Sequence, residues 1–263
     1  YGLLNQCSAR MRVPLEAVNQ NRWRYEREGA WLKPTCGGQR VDLHKVDRLR
    51  LIILRKGPEP IRFCITPITA MTEEPPRLDK LALPAGALLD GLGQSALHEW
   101  PGKSRSAKEV TARLQAQLEA APAQKLPAGY SQWGGWTEKS FEAAGMFRTH
   151  HDGDRWWLVD PDGCVFWSSG LDCVGFGIDA AYEGLESALA WLPDEDSDYA
   201  LAHRERGEVR AFDYLKANFI RAFGPEKAFE KWGKISLGQL RALGFNTVAN
   251  WSDWHIAKAA GFP

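Results

Sequence analysis

The run Asn250-Trp251-Ser252-Asp253-Trp254 combines an amide, two indole rings and a carboxylate within five residues. Amides and carboxylates hydrogen-bond to hydroxyl groups, and flat apolar rings stack on the C–H faces of sugars. The run therefore suits a carbohydrate ligand, with Asn250, Trp251 and Asp253 as candidate binding residues. The alternative for Asn250 is a structural residue that satisfies backbone groups at a strand end. For Ser252 an N-cap is favoured, because serine commonly precedes a helix.

Asp172 is a further candidate, because it lies in the apolar run Ser-Ser-Gly-Leu-Asp-Cys-Val from residue 168 to residue 174. A carboxylate in an apolar strand must find hydrogen-bond donors or give up its charge. Those donors are either backbone groups, in a structural role, or ligand hydroxyls, in a binding role. The sequence favours neither role over the other.

Two groups of charged residues are interpreted as solvated turns or loops. His150 and His151 stand beside Asp152 and Asp154, but these residues surround an Asp-Gly turn, and no further ligand follows at the spacing of a metal site. The acidic run from residue 194 to residue 198 lacks the glycine and the terminal glutamate of a calcium loop. We therefore predict no metal site and no cofactor.

Tryptophan is unusually frequent, with 12 residues among 263. One interpretation is a tryptophan-rich core, and the other is a set of rings that stack on sugars. Trp156 and Trp157 are neighbours in a predicted strand, where successive side chains point to opposite faces. At most one of the two therefore points at a ligand, and the other belongs to the core.

The elements that must position these residues begin with a predicted meander. Strand-like runs at 147–150, 155–160 and 164–174 are separated by Asp-Gly and Asp-Pro-Asp-Gly turns. The apolar residues Phe212, Leu215, Phe219 and Phe223 then recur at helical spacing and predict a first helix. A second helix is predicted from a capping box of Ser236 and Gln239. Its apolar face consists of Leu237, Leu240 and Leu243, and Gly244 ends it.

A short buried strand is predicted from Phe245 to Asn250, and a helix from Asp253 to Ala260. The order strand, helix, strand, helix is typical of a parallel α/β sheet. Because no Gly-x-Gly-x-x-Gly follows either strand, the dinucleotide-binding fold is disfavoured, and the first two units of a (β/α)8 barrel are predicted. Binding residues of such a barrel lie at the C-terminal ends of its strands, where Asp172 and Asn250 stand.

The N-terminal part shows a different, all-β pattern. Polar and apolar residues alternate from Asp47 to Lys56 and from Ile61 to Thr69, which predicts a two-stranded hairpin within an antiparallel sheet or sandwich. Residues 72–104 are rich in Pro and Gly and are interpreted as a long connection over the surface of its neighbours. A surface helix is predicted from Ala107 to Ala121, with Val110, Leu114 and Leu118 facing inward.

The composition excludes several partners. Lys and Arg total 33, and Asp and Glu also total 33, so no basic surplus is available to neutralise nucleic-acid phosphates. No run approaches the ~20 apolar residues of a membrane helix, so neither nucleic acid nor membrane is an expected partner. The chain starts at Tyr1 and stops at Pro263, directly after a predicted helix, which favours a segment of a longer protein.

Motifs from about residue 88 to residue 254 occur together in this chain. They are Leu92-Gly93-Gln94, Glu99-Trp100-Pro101-Gly102-Lys103, Gly145-Met146-Phe147-Arg148, Arg155-Trp156-Trp157-Leu158-Val159-Asp160-Pro161-Asp162-Gly163 and Gly244-Phe245-Asn246-Thr247-Val248-Ala249-Asn250-Trp251-Ser252-Asp253. In combination they resemble the β-agarases, particularly glycoside hydrolase family 50 and its uncharacterised relatives.

The resemblance implies three regions. These are a partial β-sandwich similar to carbohydrate-binding modules at 1–72, a wrapping linker with one helix at 73–140, and the start of a TIM barrel at 141–263. It also implies a secreted or periplasmic protein that cleaves β-linkages in galactose-containing oligo- or polysaccharides with retention. The two catalytic glutamates of such enzymes lie on the fourth and seventh barrel strands, which places them beyond Pro263.

No catalytic residue is therefore assigned within the chain, and the segment alone is expected to be inactive. Glycoside cleavage needs two carboxylates about 5 Å apart for retention or about 6.5 to 9.5 Å apart for inversion, and no motif here identifies such a pair. The alternative function is a non-catalytic carbohydrate-binding or structural module on the same scaffold.

Overall fold

The structure is a computed structural model that describes residues 10–13, 15, 25–27, 30–32, 41–52, 58–73, 76, 85–206 and 209–263. The chain divides into two compact units. The N-terminal unit comprises Tyr1–Gly86 and Glu183–Ala188, and the core unit comprises Ala87–Tyr182 and Leu189–Pro263. No helix of the described residues is long and apolar enough to cross a membrane.

Among its described residues, the N-terminal unit contains one short antiparallel pair, β1 (Tyr25–Arg27) with β2 (Ala30–Leu32). The hairpin predicted from residue 47 to residue 69 is wrong over its described part, because residues 47–52 and 58–69 form no strand. A run of alternating polar and apolar residues forms a strand only where a neighbouring strand pairs with it and another layer covers its apolar face. Here Leu49 and Phe63 are 65% and 55% exposed. Residues 53–57 lie outside the described residues, and the sandwich at 1–72 stays a prediction.

A four-stranded antiparallel sheet opens the second half of the chain. Its strands are β3 (Trp136–Ser140), β4 (Arg148–His151), β5 (Trp156–Val159) and β6 (Cys164–Phe166), in the order β3-β6-β5-β4. The predicted meander is therefore confirmed. The strand predicted at 164–174 is divided, however, because the chain leaves this sheet after Phe166, and the Ser169 backbone carbonyl accepts hydrogen bonds from the Asn246 and Thr247 N–H groups.

The pair predicted to start a parallel sheet is present. Strand β7 (Gly170–Leu171) pairs in parallel with β11 (Thr247–Val248), and β11 is shorter than the predicted run from Phe245 to Asn250. This is the one parallel pairing of named strands among the described residues, and a closed barrel stays a prediction.

The crossover between β7 and β11 contains a sheet that the sequence did not predict. Strands β8 (Asp179–Ala181), β9 (His203–Arg206) and β10 (Val209–Asp213) pair in the antiparallel order β8-β10-β9. Phe212, assigned above to a helix, lies in β10, and helix α2 (Tyr214–Phe223) begins two residues later. The change follows from Asp213, whose side chain caps this helix and so fixes its start.

The surface helix α1 (Ala107–Ala120) is confirmed, with Ser106 accepting from the Glu109 N–H group and with Leu114 and Leu118 packed on the core. The segment before it contacts α2, because the Leu92 and Gly91 carbonyls accept hydrogen bonds from the Asn218 and Arg221 side chains. These contacts hold this part of the predicted connection on α2, and the course of the whole connection stays a prediction.

Helix α3 (Ala228–Ala242) corrects the second predicted helix, because it passes through Ser236 without a break. The apolar stripe already starts at the buried Trp232 and Ile235, so packing extends the helix upstream of the apparent capping box. Gly244 follows the helix end with φ +84° as predicted, whereas Leu243 is 71% exposed and lies off the apolar face.

The core of this unit forms around α2 and α3. One cluster of buried residues is centred on Phe212, Phe219 and Trp232, and a second contains Leu237, Leu240 and Phe262. The last helix, α4 (Trp254–Ala259), packs Ile256 into the space left by Gly233, where an added Cβ would approach Ile256 to 3.1 Å. This packing fixes the loop between β11 and α4, which carries the predicted binding residues.

Candidate functional site

The parallel pair is anchored by Asn246, which is 2% exposed. Its Oδ1 accepts from the Ser169 N–H group at 2.8 Å, and its Nδ2 donates to the Gly134 and Trp167 carbonyls, both at 2.9 Å. A buried amide with every group satisfied fixes its surroundings, because each of these groups would be costly to leave unpaired. Asn246 thus sets the position from which β11 and its following loop run.

The loops that follow β7 and β11 are joined by hydrogen bonds. The Cys173 N–H group donates to the Asn250 carbonyl at 2.9 Å, and the Asp253 N–H group donates to the Val174 carbonyl at 2.8 Å. The Asp253 side chain accepts from the Phe176 N–H group at 2.7 Å. The residues after the two strands therefore form one continuous polar edge.

A cavity of about 200 Å³ opens beside this edge. Its lining comes from the loop after β7, from β8 to β10, from α2 and from the residue before α4: Gly175, Phe176, Gly177, Asp179, Ala202, Arg204, Asp213, Lys216 and Asp253. Five of these nine residues are charged, and a polar cavity of this kind suits a hydrogen-bonding ligand.

Asp213 is a buried carboxylate of the cavity that is fully engaged with backbone groups. It is 2% exposed, and its two carboxylate oxygens accept from the Lys216 N–H group at 3.0 Å and from the Ile178 N–H group at 2.8 Å. Gly177 leaves the room for this carboxylate, because an added Cβ would lie 2.8 Å from Asp213 Oδ2. Asp213 therefore joins the loop after β7 to the N-terminus of α2.

The cations of the cavity differ in their partners. Arg204 pairs with Asp179 at 3.1 Å, which leaves little of its charge free for a ligand. The half-buried Lys216 ammonium lies 6.0 Å from the Phe176 ring centroid, and among the described residues it makes no ion pair or side-chain hydrogen bond. Lys216 is thus a hydrogen-bond donor that is ready for a ligand acceptor.

Tyr214 follows Asp213 but has a structural role. Burial raises the pKa of the Tyr214 phenol to about 12, and its hydroxyl donates to the Trp191 carbonyl. The phenol therefore stays neutral at physiological pH and contributes no charge beside the cavity.

The structure brings one predicted binding residue, Asp253, into the cavity wall. Asn250 and Trp251 lie on the exposed turn that leads to it, where Trp251 has φ +58° and is 79% exposed. Asp172 is exposed at the end of β7 and belongs to the same edge. The N-cap role predicted for Ser252 is wrong, because Asp253 occupies the cap position and the Ser252 hydroxyl instead accepts from the Val174 N–H group at 3.0 Å.

The sequence analysis missed Asp213, Lys216, Asp179 and Arg204. A usable signal existed for Asp213, since an aspartate directly before an apolar helical run is a common N-cap. Asp179 and Arg204 gave no signal, because they are brought together by a small sheet without an alternating pattern.

The turn predicted around Asp152 is present. His151 Nδ1 accepts from the Gly153 N–H group at 3.1 Å, and Asp152 accepts from the Arg155 N–H group at 3.0 Å. Within the described parts of the chain, no group of three or more His, Cys, Asp or Glu residues is placed to hold a metal ion.

No protein-family model matches the chain. It is 30% identical to β-agarase B of Vibrio sp. (strain JT0107) in an alignment 210 residues long that covers 68% of the chain. It is 26% identical to β-agarase A of the same organism in an alignment 185 residues long that covers 63% of the chain. The chain is a relative of the β-agarases. This β-agarase relative matches 22% and 18% of the lengths of those two proteins, so it spans about a fifth of each.

Solved structures agree with this relationship. The β-agarase relative matches an agarase, AgWH50C, with a TM-score of 0.59 and 24% identity, over 70% of the chain and 30% of that protein. It matches PfGH50B with a TM-score of 0.56 and 26% identity, over 64% and 28%. An exo-β-agarase gives a TM-score of 0.59 at 22% identity, over 72% and 32%. The first and third similarities show a shared fold, and the resemblance predicted from the motifs is confirmed.

Proposed function

We propose that this chain is part of a glycoside hydrolase that cleaves agar-type galactans, and that its polar cavity binds a sugar of the substrate. The observation that carries the proposal is the cavity beside the ends of β7 and β11, where Asp253 and Lys216 present an acceptor and a donor. Sugar hydroxyls need both kinds of group at close range. The similarity to proteins named β-agarases supports the choice of substrate class.

The cavity carboxylates are suited to binding rather than to bond cleavage. Asp213 accepts two backbone N–H groups, Asp253 accepts one, and Asp179 is paired with Arg204. A catalytic pair needs one carboxyl that delivers a proton and one that attacks the sugar. We therefore propose that two glutamates outside this segment perform retaining hydrolysis, as the resemblance implies, within a (β/α)8 barrel that starts at 141–263.

The outer part of the proposed sugar-binding wall consists of Asn250, Trp251 and Asp172. They lie on the polar edge that leads to Asp253, and Trp251 offers a broad exposed ring. An exposed indole beside amide and carboxylate groups matches the mixed polar and apolar surface of a sugar. The β-sandwich at 1–72 and the wrapping linker at 73–140 belong to the same proposal.

The decisive experiment replaces Lys216 by Met and measures affinity of the 263-residue chain for an agaro-oligosaccharide by calorimetry. The expected dissociation constant is about 10-fold to 100-fold higher, because a hydrogen bond from a charged donor is lost. Unfolding should hardly change, since the Lys216 ammonium makes no ion pair or side-chain hydrogen bond among the described residues, and its distance of 6.0 Å from the Phe176 ring is too long for a strong contact.

Lys231→Met is the matched control, because Lys231 lies on α3 beside Glu230 and away from the cavity lining. It should bind the oligosaccharide like the unmodified chain. Unchanged affinity of folded Lys216→Met would contradict the sugar site. Turnover of agaro-oligosaccharides by the 263-residue chain, abolished by replacing one of its carboxylates, would contradict the placement of the catalytic pair.

A non-catalytic carbohydrate-binding module is the second candidate function. This candidate is favoured because the cavity carboxylates already bond to backbone N–H groups and to Arg204 and are therefore not free to cleave a bond. Hydrolysis of agarose by the full-length protein separates the two candidates, because a binding module releases no new reducing ends.

A further inference from the structure

We propose that the β-agarase relative holds polysaccharide at a second surface, the exposed face of its four-stranded sheet. This Trp156 face consists of Phe147, Thr149, His151, Trp156 and Leu158. The inference rests on the proposed function for its ligand class, a neutral agar-type polysaccharide, but it does not involve the cavity residues.

The strand register places these side chains on one face. Cross-strand partners in an antiparallel pair share a face, and here His151 is opposite Trp156 and Thr149 is opposite Leu158. Phe147 precedes Thr149 by two residues, so it points the same way. The result is a surface in which neighbouring positions along a strand are roughly 7 Å apart.

The two faces of the sheet differ in burial. Trp156 is 70% exposed, and Leu158 and Phe147 are 38% and 37% exposed. On the opposite face Val159 and Val165 are 0% and 3% exposed. On the Trp156 side, Phe166 of β6 is opposite Leu158, is 6% exposed and contacts the Phe147 ring at 4.9 Å between ring centroids, so the exposed part of this side is the β4–β5 hairpin. An antiparallel sheet with one packed face normally carries polar residues on the other, so exposed aromatic residues there need an explanation.

Polar donors stand beside the exposed indole. The His151 ring meets Trp156 edge-on at 5.0 Å, and its Nδ1 accepts from the Gly153 N–H group. In the neutral imidazole the proton therefore sits on Nε2, which is available as a donor. Exposed Thr149 adds a hydroxyl on the same face. A flat ring flanked by donors is the combination that recognises the apolar face and the hydroxyls of one sugar together.

The hairpin that carries this face is held rigid from its other side. Asp152 accepts from Trp157 Nε1 at 2.6 Å and from Lys139 Nζ at 3.0 Å. The Trp157 ring also lies 4.1 Å from Lys139 Nζ and 4.2 Å from the Arg155 guanidinium carbon. A preorganised platform binds with less loss of conformational entropy than a mobile one.

The lack of permanent charge on the Trp156 face favours a neutral ligand. Its five side chains include no carboxylate and no permanent cation. A polyanion would find no cluster of Lys or Arg here, and a strongly polar protein surface would find no ion-pair partner. A neutral polysaccharide satisfies both the aromatic and the hydroxyl groups of the face.

The test measures binding of an agaro-hexaose by calorimetry in the Lys216→Met chain, where the cavity is already weakened. Trp156→Ala in that background should raise the remaining dissociation constant about tenfold, in line with the loss of a stacked tryptophan. Trp156→Phe should keep most of the affinity, because the flat ring remains. Trp167→Ala is the matched control, since Trp167 is 80% exposed and lies outside this face.

Equal affinity of Trp156→Ala and its parent would overturn the proposal, as would an equal loss in Trp167→Ala. Self-association that disappears in Trp156→Ala, with unchanged sugar affinity, would also overturn it by showing that a second copy covers the face. The proposed hydrolytic function is judged separately by agarose cleavage in the full-length protein, so a Trp156-dependent affinity survives even if cleavage is not observed.

Discussion

Asn246 and Asn250 are four residues apart, yet the structure buries the first and exposes the second. The side chain of Asn246 is buried and bonded to Gly134, Trp167 and Ser169. Asn250 is exposed, and its described backbone bond runs through its carbonyl to Cys173. Stability should therefore depend on the first residue and ligand binding on the second.

Asn246→Ala is expected to lower the free energy of unfolding by about 2 to 4 kcal/mol, because it leaves two carbonyls and one N–H group unpaired in a buried region. Urea unfolding of the 263-residue chain measures the effect. Asn250→Ala is the matched control and should change stability by less than about 0.5 kcal/mol.

If the full-length protein has the proposed hydrolytic activity, Asn250→Ala should instead lower its kcat/KM about 30-fold to 1,000-fold per folded molecule. A destabilised Asn250→Ala protein with normal specific activity would reverse this assignment and leave Asn250 a structural residue.

At the scale of single residues, the sequence drew attention to Asp253 because the run from Asn250 to Trp254 stands at the end of a predicted strand. The structure places Asp253 in the cavity wall, and its binding role stays a prediction. Lys216 was missed, because a lysine inside an amphipathic helix looks like any solvated residue until the fold places it at a cavity. The sequence left open whether Trp156 or Trp157 faces a ligand, and the burial pattern of β5 shows that Trp156 is the more exposed of the two.

At the scale of elements, turn chemistry was the reliable signal. The Asp-Gly turn after β4 and the capping box before α1 each act locally, so they appear in the sequence as they do in the structure. The hairpin at 47–69 failed because alternation alone provides no partner strand. The β8-β10-β9 sheet was missed because its strands show no regular alternation of polar and apolar residues. In addition, β8 pairs with β10 across a long intervening segment, although β9 and β10 are neighbours in sequence.

The β4–β5 hairpin gives a prediction for acid stability. Hydrogen bonds from the Arg155 backbone N–H, from the Trp157 indole and from Lys139 lower the pKa of the Asp152 carboxyl far below its ordinary value of 3.8. A depressed folded-state pKa stabilises the fold fully above the unfolded-state value, and this contribution is lost as the pH falls toward the folded-state value.

Asp152→Asn should therefore be less stable than the parent at pH 7, and the difference should shrink as the pH falls below about 4. Urea unfolding at several pH values between 7 and 2.5 measures it. Asp154→Asn is the control, because the Asp154 side chain makes none of these bonds. A difference between Asp152→Asn and parent that stays constant down to pH 2.5 would show that the charge of Asp152 does not stabilise the hairpin.

At the scale of the whole molecule, the two buried apolar clusters seen among the described residues lie within the core unit. They are formed by residues between Val174 and Phe262, together with Leu114 and Leu118 of α1. In the described part of residues 41–73, by contrast, many large apolar side chains are exposed. A unit with its own core is expected to fold by itself.

Residues 87–263 are therefore expected to unfold cooperatively, with a Tm within about 5 °C of the value for the 263-residue chain. Circular dichroism melts of both chains provide the measurement. Trp232→Ala, which removes a ring at the centre of the larger cluster, should destabilise both chains by the same amount, about 3 to 5 kcal/mol. Equal losses would place the cooperative unit within residues 87–263, whereas a broad, non-cooperative melt of the shorter chain would show that residues 1–86 are required to complete its core.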